Sequence, residues 1–486
     1  MTNTSSDAGQ PIRRVGLQRT LSVLGSAAIA CYAVPPALYA WLAQRPVKWD
    51  TFWEQAAQPY ATLAAGIGAI TAGVLAYYNG HYTREAEKAR HDTEQNRHRD
   101  ERIHEIRRDL HARFTTATAQ LDSKTLMTRQ AGVHAIVALA DDWHALDPES
   151  RHIQTCLDVL CSYLRKPWAP DNDIGTDGGA AYDATDKQTT HLAEERAVRE
   201  TIYATLRQHL HPDASPSWSD ATLNLSGAHL YDADLSWALI HAADFSGTVF
   251  KGKALFDDAQ FRGKKPGAIK FNRATFIADG NSATISFQGT TFHGKVGAAV
   301  SFNETLFCAD RGGIIDFNET AFFADYERGI SFHGTEFTAS NQGRVTFDRA
   351  LFSSDRSRDR HLHTKRPESI LFQTTTFAAE SGGTITFFGT HFEARTGHIS
   401  FPDTKFVAAS RDSRIAFDGV DFEAMPDGRI DFETATFAGD GTVSFNDPER
   451  WNVHFAWDGD PLAMPAVVIP QDWPPHIASD QGRQRP

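Results

Sequence analysis

The sequence predicts a mixed chain: a helical N-terminal part opening with a two-helix transmembrane hairpin, then an all-β parallel solenoid. Three observations carry this expectation. Phenylalanine recurs in pairs five residues apart, from Phe256/Phe261 to Phe432/Phe437, with about fifteen residues from pair to pair, and a fixed period of this kind marks a repeat architecture. The unit around these pairs reads roughly [I/V]-x-F-x-x-[A/T]-x-F-x-A, as in Ile315-x-Phe317 followed by Thr320-x-Phe322. Near the N terminus, residues 21–43 and 60–78 are free of charge, and about twenty apolar residues suffice to cross a hydrocarbon core of roughly 30 Å.

Within the repeats, Ile-x-Phe and Thr-x-Phe point two side chains to one face with another residue facing away, as strand geometry demands. Each run is too short to stand alone. Stacking successive copies in parallel pairs every backbone with the copies above and below, so the inward residues form columns of Phe, Ile and Thr/Ala. The spacing suggests one rung per fifteen-residue repeat, with two strand sides and a looser third; a four-sided rung of about twenty residues ranks second. The insertion 353–369 leaves Ile370-x-Phe372 in register afterwards, as a loop on the side of a stack allows.

With 486 residues the chain has room for two or three domains, and a net charge of −13 excludes a general basic surface for nucleic acid. Cys31, Cys156, Cys161 and Cys308 form no CxxC pair, which suits a reducing compartment and buried small hydrophobes and implies no metal. Residues 1–18 read as a disordered cytoplasmic tail and 19–79 as the hairpin, interrupted by Pro35-Pro36 and flanked by aromatics such as Trp41, Trp53, Tyr77 and Tyr78. Arg13, Arg14 and Arg19 precede the first span, and Arg84, Lys88 and Arg90 follow the second. The positive-inside rule then places both termini and the solenoid in the cytoplasm. Gly66, Ala69 and Gly73 give small-xxx-small spacings suited to helix packing within the hairpin or between chains.

Residues 80–166 read as a charged helical stalk and a small helical domain, 167–190 as a linker, and 191–212 as a helix capping the solenoid. The solenoid itself covers 219–445, and 446–486 forms a second cap and a disordered tail. His98-Arg99-Asp100 and His104-Glu105 mimic catalytic signatures, but no Gly-rich loop, DFG or second zinc-ligating histidine accompanies them. Asp141-Asp142 reads as a solvated turn.

From Ser219 the chain reads Ala228-His-Leu230, Ala233-Asp-Leu235, Ala238-Leu-Ile240, Ala243-Asp-Phe245 and Thr248-Val-Phe250. This resembles the A-[D/N]-L-x-x unit of the pentapeptide-repeat family, and the Phe-rich stretch looks like a longer-period version of it. Leu139-Ala-Asp-Asp-Trp143 and Cys156–Arg165 resemble segments of actinobacterial membrane-anchored pentapeptide-repeat proteins. The resemblance implies a right-handed parallel β-helix over about half the chain, and no biochemical role, since a fold alone assigns none.

Three functional classes follow. The first is a membrane-tethered, non-catalytic scaffold that binds an unidentified protein partner, with homo-oligomerisation through the transmembrane helices as one expectation and membrane lipid as a further partner. The alternative is a DNA-mimicking regulator that binds gyrase or another topoisomerase; binding of nucleic acid itself is not expected. The third is an enzyme built on outward carboxylates, for which Asp316, Asp421 and Asp431 each precede a phenylalanine. Other repeats place Ser, Thr or Ala in that slot, as a solvated face would. No catalytic, cofactor-binding or metal-binding residue is assigned and no cofactor is expected. The basic insertion, with Arg356, Arg358, Arg360, His361, His363, Lys365 and Arg366, reads as a docking loop or a tolerated insertion.

Overall fold

The computed structural model describes most of residues 22–42, Gln44, and residues 48–147, 151–168, 182–264, 268–295, 298–325, 329–355 and 368–478. The N-terminal tail, most of the basic insertion, much of the linker and the last eight residues lie outside this set. The chain divides into two compact units, residues 1–107 and 108–486.

In the first unit, residues 32–42 are helical. The main element is α1 (Trp49–Leu121), which contains Pro59 and continues into the second unit. It begins well before Tyr60 and so takes in part of the expected inter-span loop. Among the described residues one helix, Ala61–Leu121, is long and apolar enough to cross a membrane. The two-helix hairpin is therefore not confirmed. Tyr77, Tyr78, His81 and Tyr82 pack ring on ring where the apolar stretch gives way to charge.

The second unit opens with a helical set. Leu110, Ala117 and Leu121 of α1 are buried with Val133, Ile136 and Trp143 of α2 (Leu126–Leu146) and with Leu157, Leu160 and Leu164 of α3 (His152–Leu164). α2 ends at Leu146 and α3 begins at His152. α4 (Tyr182–Leu210) starts inside the stretch read as linker and buries Val198, Ile202, Leu206 and Leu210.

After Trp218 the backbone winds into a parallel solenoid of four sheets, one of nine strands and three of eight. Sheet 1 starts at Thr222–Asn224, sheet 2 at His229–Tyr231, sheet 3 at Lys253–Leu255 and sheet 4 at Leu239–Ile240. A turn visits sheets 1, 2, 3 and 4 in order, so the cross-section is four-sided. This corrects the expected rung. Ile285 pairs with Ile315, thirty residues on, and Val300 with Ile330. One fifteen-residue repeat therefore closes half a turn, and alternate repeats feed sheets 1 and 3.

The turn also grows along the rod. Leu223 pairs with Ala243 after twenty residues, Phe250 with Phe276 after twenty-six, and Ala254 with Ile285 after thirty-one. The added residues enter at the corners from sheet 2 to 3 and from sheet 4 to 1. Inward-facing Ala254 follows Phe250 by four positions in the early rungs, whereas Ile285 follows Phe276 by nine. The corners from sheet 1 to 2 and from sheet 3 to 4 stay tight. At these corners, except the one after Phe432, the second residue after the inward Leu or Phe has positive φ, as at Gly289 (65°), Glu304 (57°) and Glu319 (58°). The fourth residue's N–H returns to the first carbonyl, as in Thr290 N to Phe287 O at 3.0 Å, the pattern of a turn needing a left-handed third residue. The basic insertion falls in sequence between the strands Leu351–Ser354 of sheet 4 and Glu368–Leu371 of sheet 1, which flank a loose corner.

Four phenylalanine columns fill the axis. Phe287, Phe317 and Phe347 stack with centroids 4.8 and 4.7 Å apart and ring planes within 4°, matching the strand-to-strand rise. Neighbouring columns meet edge-on, as with Phe276 and Phe287 at 69°, the arrangement aromatic quadrupoles favour. The Thr of each [A/T] slot has a specific task. The buried Thr305, Thr320 and Thr335 hydroxyls donate to the Phe271, Phe287 and Phe302 carbonyls one turn earlier, at 2.6, 2.7 and 2.5 Å. They satisfy both the hydroxyl and a corner carbonyl where no water reaches.

Candidate functional site on the solenoid faces

Inward residues are consumed by packing, so chemistry is confined to the outward positions, where side chains repeat once per turn on each sheet. The three carboxylates singled out from the sequence do not converge. Asp316 lies on sheet 3, Asp421 on sheet 4 and Asp431 on sheet 1. A fifteen-residue rung would have put Asp316 and Asp431, each before the first phenylalanine of a pair, in one column, with Asp421 on the neighbouring strand; the thirty-residue turn sends successive repeats to different faces.

A dense polar cluster lies on sheet 4 near its C-terminal end. His391 pairs with Asp421 and Phe422 with Trp451, which stacks the strands at 391, 421 and 450. His391 Nε2 lies 3.3 Å from Glu423 Oε2 and 3.6 Å from Asp421 Oδ2. One ligand atom from each of these three side chains lies within 4.8 Å of the others, a spacing that could hold a metal ion. Arg450 already occupies their acceptors. Its Nε donates to Asp421 Oδ1 at 2.7 Å, its Nη2 bonds Asp421 Oδ2, and its Nη1 lies 2.6 Å from Glu423 Oε1. Hydrogen bonding to Asp421 holds the Arg450 pKa above its ordinary value. A guanidinium forked over two carboxylates supplies the positive charge that a cation would bring, so the cluster works as an ion-paired surface. Below it, Glu393 accepts from Arg395 Nε at 2.7 Å and from Ser353 Oγ at 2.8 Å.

Asp316 is different. Burial pushes its carboxyl above the ordinary value of 3.8, opposed by the Asn318 N–H at 2.7 Å and the Thr346 hydroxyl at 3.3 Å, while Asp257 and Asp348 add like charge. A carboxyl whose pKa is raised on folding is favourable below its unfolded pKa and loses that contribution as pH climbs through the folded one. Asp316→Asn, which keeps the acceptor for Asn318, is therefore expected to raise Tm at pH 7, with the gain vanishing by about pH 3. Thermal melts across that range check it; an equal shift at every pH would assign the effect to packing.

The cysteines behave as structural residues where described. Burial lifts the Cys156 and Cys161 thiols to about 12, which leaves almost no thiolate at neutral pH. Cys308 is half-buried and faces outward on sheet 2. His98-Arg99-Asp100 lies exposed on α1, with Arg97 and His98 turned toward Glu101. Asp141 ends on the buried side of α2 near His209, at 3.9 Å, so Asp141-Asp142 is part of a helix and not the turn the sequence suggested.

The charged cap at the rod's N-terminal end leaves no mark in the sequence pattern. Arg129, Tyr163, Glu195 and Arg199 come from α2, α3 and α4, and their burial and mutual hydrogen bonds emerge only when the helices pack. No protein-family profile matches the chain, and a search of curated proteins found no match.

Proposed function

We propose that this protein is a membrane-tethered, non-catalytic scaffold that presents its solenoid to a protein partner, with two membrane spans and both termini and the rod in the cytoplasm. One observation supports the non-catalytic reading above others: many of the outward charges are engaged with one another across turns. Arg273 meets Glu304 at 2.7 Å, Arg349 meets Glu319 at 2.7 Å, and Arg450 spans Asp421 and Glu423. Catalysis needs polar groups aimed at a space for substrate; a mutually neutralised lattice around a filled core offers flat, repeating contact surface instead. The apolar stretch of α1 supports the tether, and the Arg and Lys residues on either side of the two spans support the sidedness.

The reading makes two expectations. After alkaline carbonate extraction of cells expressing the full chain, the protein should stay in the membrane pellet; release into the supernatant overturns the tether. Capture from native membranes should recover partners with the intact chain that are lost when residues 219–445 are removed. Recovery of the same partners with both chains overturns the role given to the rod, and recovery of a topoisomerase would replace it with DNA mimicry.

A further inference from the structure

The strands of sheet 2, like those of sheets 3 and 4, pair in uninterrupted register, here from Val249–Lys251 to Thr436–Ala438. After Lys251, one central outward column runs Ile277, Cys308, Thr338, Ala378, Val407 and Ala438 without a charge. The parallel column runs Leu306, Glu336, Thr376, Lys405 and Thr436. Among the described residues no ion pair joins groups within these two columns; Arg311 pairs with Asp279 only at the sheet's edge. Glu336 and Lys405 are both exposed. They are two rungs apart, about 10 Å, too far to pair within one chain, and they flank Thr376 symmetrically.

We propose that sheet 2 is a self-association face on which a second copy of this chain packs through a two-fold axis lying along the Thr376 strand. That axis preserves the strand direction and inverts the order of rungs, so each column faces its own counterpart, as an isologous contact requires. Glu336 of each copy then meets Lys405 of the other. Ala378 meets Ala378, Thr338 meets Val407, Cys308 meets Ala438 and Leu306 meets Thr436, all small or apolar pairs that let two sheets approach at roughly 10 Å. The charge pattern chooses the occupant: an acidic and a basic group equidistant from one strand are complementary to their own rotated image. Glu380 meets its own mate, but at the rim beyond the strand's end, where it is exposed and solvent screens like charges. The overlap spans five rungs, about 24 Å of rod, which makes a small interface in which two symmetric ion pairs decide the register. The inference stands on the face alone and does not rest on the membrane tether.

The test uses the full-length chain in mild detergent, with Cys308→Ser and Thr376→Cys placing one thiol at the axis for a short bis-maleimide cross-linker. Covalent dimer is expected. Adding Glu336→Lys or Lys405→Glu creates two like-charge contacts per dimer and should cut the cross-linked yield about tenfold. Mixing the Glu336→Lys chain with the Lys405→Glu chain should restore it, because their faces become complementary to each other and not to themselves. Circular dichroism melts confirm that each variant is folded. Absence of cross-linking at residue 376, or a yield indifferent to both charge reversals, overturns the proposal, as does failure of the mixture to recover.

Discussion

Replacing Phe317 with alanine is expected to cost about 3–5 kcal/mol and to split the cooperative unfolding of the rod. Phe317 is fully buried, stacked between Phe287 and Phe347 at 4.8 and 4.7 Å, and meets Phe307 edge-on at 5.3 Å. The vacated space cannot close, because the strands above and below are held at fixed rise by parallel ladders on every side. The cost should therefore fall toward the upper end of the range for Phe→Ala, where residual cavity adds to lost transfer energy. Each turn touches only its neighbours, so stability is a sum of turn and interface terms, and a weak turn at 317 lets the two flanking segments unfold apart. Denaturant titration should change from one transition to two, and amide exchange should rise first beside residue 317. Phe437, 6% exposed at the end of its column, is the control, with a smaller loss from the same substitution. A single unbroken transition with less than about 1 kcal/mol lost at Phe317 would mean that the columns do not hold the rod together.

How far the sequence reveals this follows from the same columns. Inward positions were legible because Ile, Phe, Thr and Phe recur at fixed offsets, and each lands buried, as Ile315, Phe317, Thr320 and Phe322 do. The turn was not legible as a single rung because both halves of the square use one motif. Nothing in Ile315-x-Phe317 distinguishes it from Val300-x-Phe302, yet the first belongs to sheet 3 and the second to sheet 1. The five inserted residues per half-turn sit at loose corners and carry no alternation of their own. The polar cluster on sheet 4 was hidden for that reason. His391, Asp421 and Arg450 are thirty and twenty-nine residues apart, and only the thirty-residue turn superimposes them. The twenty-residue turns at the start were the readable exception, since their five-residue units set each side of the square separately.

Arg199→Met is expected to cost about 3–5 kcal/mol and to fray the N-terminal rung specifically. A solenoid's first turn has no strand before it, so its edge must be blocked by other parts of the chain. Here α3 and α4 do so. The Gln154 side-chain amide imitates a strand, accepting from Thr222 N at 2.7 Å and donating to Thr222 O at 2.9 Å. Arg199, 1% exposed, holds the helices that carry this device. Its guanidinium donates to the carbonyls of Leu164 at 3.0 Å and Lys166 at 2.7 Å, reaches His229 O at 3.4 Å, and binds Glu195 at 2.9 Å. Methionine fills the volume but leaves buried carbonyls unmet, each costing roughly 1–3 kcal/mol, although Arg129 and Tyr163 still hold Glu195 at 2.6 and 2.8 Å. Arg199→Lys should recover little, because one ammonium cannot reproduce a planar fork spread over several acceptors. Amide exchange should rise at 222–224 and 229–231 while 376–408 stays protected, since stability in a stacked array is local. Uniform loss of protection along the whole rod would instead make this cap the nucleus on which every later turn depends.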